Sequence, residues 1–204
     1  MKLILASASP RRAEILRDAG LRFEIARANV AETRRPGESA RAMTRRLARA
    51  KAQAVVRKLA EPPRDAIVIG ADTIVEVNGK LLGKPRSRAA ARRMLAKLAG
   101  NTHRVVTSIA AIRLSDGLEE FATESTRVRF VKLSANEIAS YVATGEPLDK
   151  AGAYAVQGIA GRFIERIDGC YFNVVGLPLA RLYRMLIHLG WKPAAPNRRD
   201  KAAR

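Results

Sequence analysis

Cysteine is nearly absent from this 204-residue chain, Cys170 being the only one. A single thiol excludes an internal disulfide framework and suits a reducing cytosol. Histidine is almost as scarce, with only His103 and His188. So few sulfur and imidazole ligands exclude a zinc cluster. Any bound metal should be a hard cation, Mg2+ or Mn2+, held by carboxylates and phosphate oxygens. Aromatic residues make up 5% of the chain and are not interleaved with basic ones, so a stacking platform for single-stranded nucleic acid is missing. No apolar run reaches membrane-spanning length, because Gly70, Asp72 and Glu76 break up the longest one. The first residues do not read as a secretory signal, since the apolar stretch is short and arginines follow at once.

Acidic residues are also in deficit: 19 against 38 Lys and Arg, for a net charge of +19. That balance points to polyanions, whether nucleotides, nucleic acid or a membrane surface, without choosing among them. A basic nucleic-acid-binding protein is therefore one reading. It finds no helix-turn-helix, zinc-finger or stacking motif to rest on, and it leaves the two segments discussed next unexplained.

The first segment is Leu3-Ile4-Leu5-Ala6-Ser7-Ala8-Ser9-Pro10-Arg11-Arg12. It reads as a buried strand running into a helix, with Ser9 a good N-cap and Pro10 a good first helical residue. Arg11 and Arg12 then sit in the first turn, where the helix dipole disfavours cations by about 0.3–1 kcal/mol each. That placement makes sense if backbone N–H groups and both guanidinium groups meet a bound phosphate there. The second segment is Ala66-Ile67-Val68-Ile69-Gly70-Ala71-Asp72-Thr73-Ile74-Val75. A carboxylate inside such an apolar run costs several kcal/mol unless a cation or metal offsets it, so Asp72 is the candidate for metal or base chemistry. Gly70 is expected to bend the chain and aim Asp72 outward. Glu32 and Glu38 are loop acids that could supply a second metal ligand. Lys51 lies on a basic helix whose periodicity does not settle the face it occupies. Gly79-Lys80-Leu81-Leu82-Gly83-Lys84-Pro85 is one residue too short for a Walker A loop and has Pro85 where Ser or Thr is needed. Lys84, held extended before that proline, is a phosphate-contact candidate.

The element pattern predicts strands at 2–6, 23–26, 66–69, 73–77, 102–114 and 118–131, and helices at 10–19, 39–59, 87–99, 134–144 and 178–189. Pro62-Pro63 separates the long basic helix from the next strand. Asn78-Gly79 signals a type I′ hairpin and Ser134-Ala135-Asn136-Glu137 a capping box. A further hairpin is expected from Phe163–Ile167 and Cys170–Val175 around Asp168-Gly169. Strands, hairpins and helices mix without strict βαβ alternation, so the fold class is α/β: an elongated mixed β-sheet flanked by helices, in two lobes with a central cleft. Residues 1–191 form one domain, and 192–204 read as a disordered basic tail.

Six segments together resemble the Maf family of nucleoside triphosphate pyrophosphatases: Leu5–Arg12, Gly70–Val75, Gly83–Arg86, Gly100–His103, Gly145–Tyr154 and Asn173–Pro178. The resemblance implies a Maf/ITPase-like fold and cleavage between the α and β phosphates to a nucleoside monophosphate and pyrophosphate. It implies Asp72 as the catalytic acid described as proton acceptor, and Glu32 beside it at the divalent metal. Ser7, Ser9, Arg12, Lys51 and Lys84 fall around the phosphates; Arg11, Thr73 and Gln157 fall at positions linked to base selectivity. The segment 149–158 resembles the dTTP/UTP subfamily more than the 7-methyl-GTP subfamily. Ala155, in place of a family Gly, leaves a 7-methyl-GTP or modified-pyrimidine preference as alternatives. A nucleoside triphosphate as partner, a homodimer and a cytoplasmic location are further expectations of the resemblance.

Overall fold

The computed structural model describes residues 1–59, 63 and 65–193. Among these, seven strands build one sheet: β1 (Lys2–Ala6), β2 (Glu24–Ile25), β3 (Ala66–Val77), β4 (Lys80–Leu82), β5 (Thr102–Arg113), β6 (Glu119–Phe130) and β7 (Ile164–Asp168). The order is β2-β1-β3-β5-β6-β7, with β4 also on β3. β1 runs parallel to β2 and β3, and the other pairings are antiparallel. The sheet is therefore mixed, as the irregular alternation of elements predicts.

Six α-helices among the described residues flank it: α1 (Pro10–Asp18), α2 (Ala40–Val56), α3 (Arg88–Leu98), α4 (Ala135–Ala143), α5 (Tyr171–Val175) and α6 (Leu179–His188). β3, β5 and β6 have 12 residues each, so each is about 40 Å long at roughly 3.3 Å per residue. That length lets one sheet serve two lobes. In the first lobe Leu3, Leu5, Ile67 and Ile69 pack under α1 and α6. On the opposite face Ile4, Ala6 and Val68 pack under α2. In the second lobe Val75, Val77, Val105 and Phe130 pack against α3 and α4.

Local chemistry sets the element ends. Ser39, Ser87 and Ser134 each accept a backbone N–H of the following helix, and the Ser134–Glu137 capping box closes in both directions. Asn78 and Gly79 both have positive φ, 47° and 72°, as a type I′ turn needs.

Four expectations need correction. The segments 66–69 and 73–77 are one uninterrupted strand, not two. Gly70 does not bend it. A Cβ there would sit 2.2 Å from the Ala48 carbonyl oxygen and 2.8 Å from the Ala52 nitrogen, so Gly70 lets α2 lie directly on β3. Ser9 occupies the N-cap of α1, but its side chain makes no cap bond. Residues 171–175 form α5 rather than a returning strand, because Asn173 is drawn inward to donate to the Val105 carbonyl and to Thr126 Oγ1, both at 2.9 Å. The proposed tail from 194 onward, and Pro62 of the Pro-Pro break, lie outside the described residues.

Candidate active site

On one edge of β3 the neighbour changes partway along. β1 ends at Ala6, opposite Gly70. β4 takes up the same edge only from Leu82, opposite Val75. Between them Ala71–Ile74 are paired on the β5 side alone. A crevice at the carboxyl end of a parallel strand, beside a change of strand neighbour, is where α/β sheets present ligand sites. Here it is a cleft of about 750 Å3, within the range of small-molecule sites. Ser7, Ser9, Arg11, Arg12, Glu32, Lys51, Asp72, Thr73, Lys84 and Gln157 all line it. Glu38 does not; it is held by Arg46 through two bonds of 2.6 and 2.7 Å.

Because side chains alternate along a strand, Asp72 faces α2 and Thr73 faces α1. The open edge lets both reach the cleft. Asp72 is 5% exposed. Its Oδ1 accepts from Lys51 Nζ at 2.6 Å, and Glu32 Oε1 lies 2.6 Å from the same nitrogen. Burial pushes the Asp72 carboxyl above its ordinary value, against the pull of Lys51 and Arg12. Burial pushes Glu32 up as well, but the Lys51 hydrogen bond and the charges of Lys51, Lys84 and Arg12 outweigh it and hold Glu32 low. Lys51 faces inward, on the same α2 stripe as Leu47, Ala48, Ala52 and Val55. The i, i+3, i+4 spacing from Leu47 and Ala48 was the available signal for that face.

The two carboxylates thus converge on one point of positive charge at the cleft wall. That donor set fits a hard divalent ion that takes two protein carboxylates and fills its remaining positions with phosphate or water oxygens. It does not make an all-protein cage: among the described residues no group of three or more His, Cys, Asp and Glu is placed to hold a metal.

Arg12 forms the opposite wall. Its Nε donates to the Gly176 carbonyl at 2.8 Å, NH1 to Ser7 Oγ at 3.2 Å and the Ala71 carbonyl at 2.9 Å, and NH2 to Thr73 Oγ1 at 3.0 Å. Four of the five guanidinium N–H groups are therefore directed at the protein, leaving one for a ligand. The unfavourable place of Arg12 in the first turn has a structural cause: it ties α1 to β3 and to the end of α5. Ser7 Oγ also accepts the Ser9 N–H at 3.2 Å, fixing the turn into α1. Arg11 reaches across the cleft to Asp149 at 3.5 Å, and Lys84 is exposed at the rim.

Sequence reading missed a polar seam. Thr73 bonds Thr107 at 2.9 Å, and Thr107 donates to the Asn173 carbonyl at 3.2 Å. On the other face Thr44, Ser108 and Thr123 form a chain of hydroxyls at 2.8 and 2.9 Å. The signal was Thr107-Ser108 interrupting the apolar run of β5, in register with Thr73 and Asp72.

The model of the Maf-like protein family matches residues 2–189. A dTTP/UTP pyrophosphatase of Koribacter versatilis is 49% identical over 190 residues, covering 93% of this chain and 95% of that protein. A dTTP/UTP pyrophosphatase of Salmonella typhimurium is 49% identical over 199 residues, covering 98% and 97%. Among solved structures, the Ham1 protein of Staphylococcus aureus is similar in fold alone, with a TM-score of 0.51 at 18% identity over 92% of this chain and 99% of that one. With a match that runs from β1 through α6, the chain belongs to the Maf-like protein family.

Proposed function

We propose that this protein hydrolyses dTTP and UTP between the α and β phosphates, giving the nucleoside monophosphate and pyrophosphate. The observation that carries the reading is the convergence of Asp72, Glu32 and Lys51 at the open edge of β3, inside a cleft large enough for a nucleotide. The names of relatives at 49–50% identity support the reaction and the pyrimidine preference.

The reaction is an in-line displacement. A water oxygen bonds to the α-phosphorus, the α–β bridging P–O bond breaks, and pyrophosphate leaves with the bonding pair. Asp72 orients the water and takes its proton. In the metal-free site burial holds its carboxyl above the ordinary value, which strengthens it as a proton acceptor. Asp72 and Glu32 would hold a divalent cation, which when bound supplies Lewis-acid charge and makes water more acidic. Lys51, Lys84 and Arg11 carry the positive charge that offsets what builds up on the leaving group. Arg12, with four of its five N–H groups on the protein, holds the phosphate-facing turn in place and keeps one N–H for a phosphate oxygen. Gln157 is the only carboxamide among the described cleft residues. It offers a donor and an acceptor together, as the edge of a pyrimidine needs. The lone thiol Cys170 favours the cytoplasm as the place of action.

The test is a panel of UTP, dTTP, CTP, GTP and 7-methyl-GTP with pyrophosphate detection, on wild type and Asp72→Asn. UTP and dTTP should lead. The variant should lose at least about a hundredfold in kcat, the usual scale for a missing general base, while its circular dichroism is unchanged. Retained turnover in a folded Asp72→Asn protein overturns the assignment.

A further inference from the structure

The chain between Asp149 and Ile159 makes little regular structure, yet it is fixed at closely spaced points. Gly152 has φ +72° and donates its N–H to the Gly83 carbonyl at 3.1 Å. A Cβ there would meet Val75 Cγ2 at 2.8 Å, so the backbone lies directly on β3. Ala153 follows, fully buried and at φ +63°, a left-handed conformation that an L-residue keeps only where its surroundings enforce it. Ala153 is held on one side by its own N–H on the Lys150 carbonyl at 3.0 Å and by the Gly152 contact, and on the other by Tyr154. Its hydroxyl bonds His103 Nε2 at 2.8 Å, and its ring meets Phe130 and His103 edge-on, with centroids 4.9 and 5.3 Å apart. At the far end the Glu146 carboxylate accepts the Ile159 N–H at 3.0 Å and the Tyr141 hydroxyl at 2.8 Å. It also presses on Gly158, where a Cβ would fall 2.4 Å from its oxygen.

Only Ala155, Val156 and Gln157 lie between these two clamps, in a turn closed by Gly158 N–H on the Ala155 carbonyl at 3.3 Å. The turn carries the one carboxamide among the described cleft residues. Val156 lines the cleft beside it.

We propose that Tyr154 and Glu146 are positioning residues for base selection: they hold the 155–158 turn from its two ends, so that Gln157 meets the base edge at a fixed depth in the cleft. The inference rests on the reading of Gln157 as the group that meets the base. A carboxamide discriminates by where its N–H and C=O stand. Gln157 is exposed in the free protein, so a bound base covers its amide; a base that cannot match it leaves the covered polar groups unpaired, and that penalty is the source of selectivity. Loosening the turn lets the amide follow a wrong base, and opens room for a purine. The phosphate end, built from β1, β3 and α1, is untouched by the change. Loss of a clamp should therefore raise KM and lower discrimination, with kcat at saturation little altered.

The experiment measures kcat and KM for UTP, CTP and GTP on wild type, Tyr154→Phe, Glu146→Ala, Glu146→Gln and Gln157→Ala, alongside thermal melts. Tyr154→Phe keeps the ring and loses only the hydroxyl. It should raise KM for UTP about tenfold, the equivalent of one hydrogen bond, and narrow the UTP-to-CTP ratio of kcat/KM by a similar factor. Glu146→Ala should do the same. Glu146→Gln, which keeps an acceptor for the Ile159 N–H, should stay near wild type. If Gln157→Ala shifts KM and the base ratio but the Tyr154 and Glu146 variants do not, the clamps are overturned and the role of Gln157 stands. If Gln157→Ala leaves both quantities unchanged, the base-reading role fails and the clamp proposal falls with it. A parallel drop in kcat for all three nucleotides, tracking a lower melting temperature, marks a purely structural role and also overturns the proposal.

Discussion

Lys51→Met isolates the charge balance at the heart of the site. Methionine nearly matches the lysine stem in length and keeps the packing of α2, but removes the ammonium that Asp72 and Glu32 share. The side chains of Asp72 and Lys51 are 8% and 11% exposed, whereas Glu32 is 47% exposed and can find water. The penalty therefore falls on Asp72. Removing one partner of a buried pair costs about 3–5 kcal/mol, because a buried charge is left uncompensated. Arg12 still acts on Asp72, which argues for the lower end. For a domain of this size each kcal/mol moves Tm by about 2–4 °C, so a loss of about 3 kcal/mol lowers Tm by roughly 6–12 °C near pH 7 in chelator.

The pH dependence fixes the cause. Asp72 in the folded protein titrates above its ordinary value of 3.8, and loss of Lys51 removes two of the influences that hold it down. A carboxyl with a raised folded pKa binds a proton that the unfolded chain does not, so its contribution to stability falls as pH rises through that pKa. The deficit of Lys51→Met should thus be largest at neutral pH and shrink toward acid, where Asp72 is neutral. Excess Mg2+ or Mn2+ should stabilise the variant more than the wild type, since cation and ammonium compete for the same two carboxylates. Differential scanning calorimetry from pH 4 to 8, with and without the metal, measures both effects. A variant that melts with the wild type at pH 7, or with a deficit flat across pH, refutes the charge argument.

Arg12→Lys replaces a forked donor bonded to four partners with a point charge. It should cost about 2–4 kcal/mol by urea denaturation and cannot be rescued by charge alone; wild-type stability would sink the reading of Arg12 as a tie. Gly70→Ala puts a methyl group 2.2 Å from the Ala48 carbonyl oxygen, so the backbone of α2 must shift. It should lose at least about 1–3 kcal/mol, and an unchanged melt would show that the helix yields freely. His103, desolvated by burial, is lowered from 6.5 to about 4, so the folded protein binds one proton fewer than the unfolded chain in that window. Stability from this group is complete above pH 6.5 and lost as pH falls toward 4, by up to about 1.4 kcal/mol per unit, and His103→Gln should flatten that slope.

What was legible in the sequence was local. Ser39, Ser87 and Ser134 announce their helices because capping involves only neighbouring residues, and Asn78-Gly79 announces its turn for the same reason. Asp72 is visible because a carboxylate is out of place in an apolar strand. Lys51 was half visible: it falls on the apolar stripe of α2, but a long lysine can also reach solvent from such a position. The partners of Arg12 were not readable, since they come from residues 5 to 164 positions away. The mistaken hairpin at 163–175 has the same origin. Tyr171-Phe172-Asn173-Val174-Val175 has strand propensity, but Gly169 redirects the chain at φ +128° and the buried bonds of Asn173 close a helical turn instead.

The cleft and the division into lobes share one physical origin. Residues 66–75 of β3 and 105–112 of β5 are apolar but for one line across them, which continues into β6. Asp72 stands opposite Ser108, itself opposite Thr123; Thr73 stands opposite Thr107, itself opposite Glu124. This row lies between the core under α1, α2 and α6 and the core under α3 and α4, and the helices that meet it do so through polar groups, Thr44 and Lys51 of α2 on one face and Asn173 of α5 on the other. Polar groups so placed are expensive, and each bonds another polar side chain or a backbone carbonyl. The same row coincides with the gap between β1 and β4, where β3 has lost its neighbour. A sheet that ends one strand and begins another over a polar row has a hole in its edge lined with fixed charges and hydroxyls. The site therefore follows from the strand lengths: β1 stops after five residues while β3 continues for twelve, and the residues of β3 left uncovered are the ones with chemistry to do.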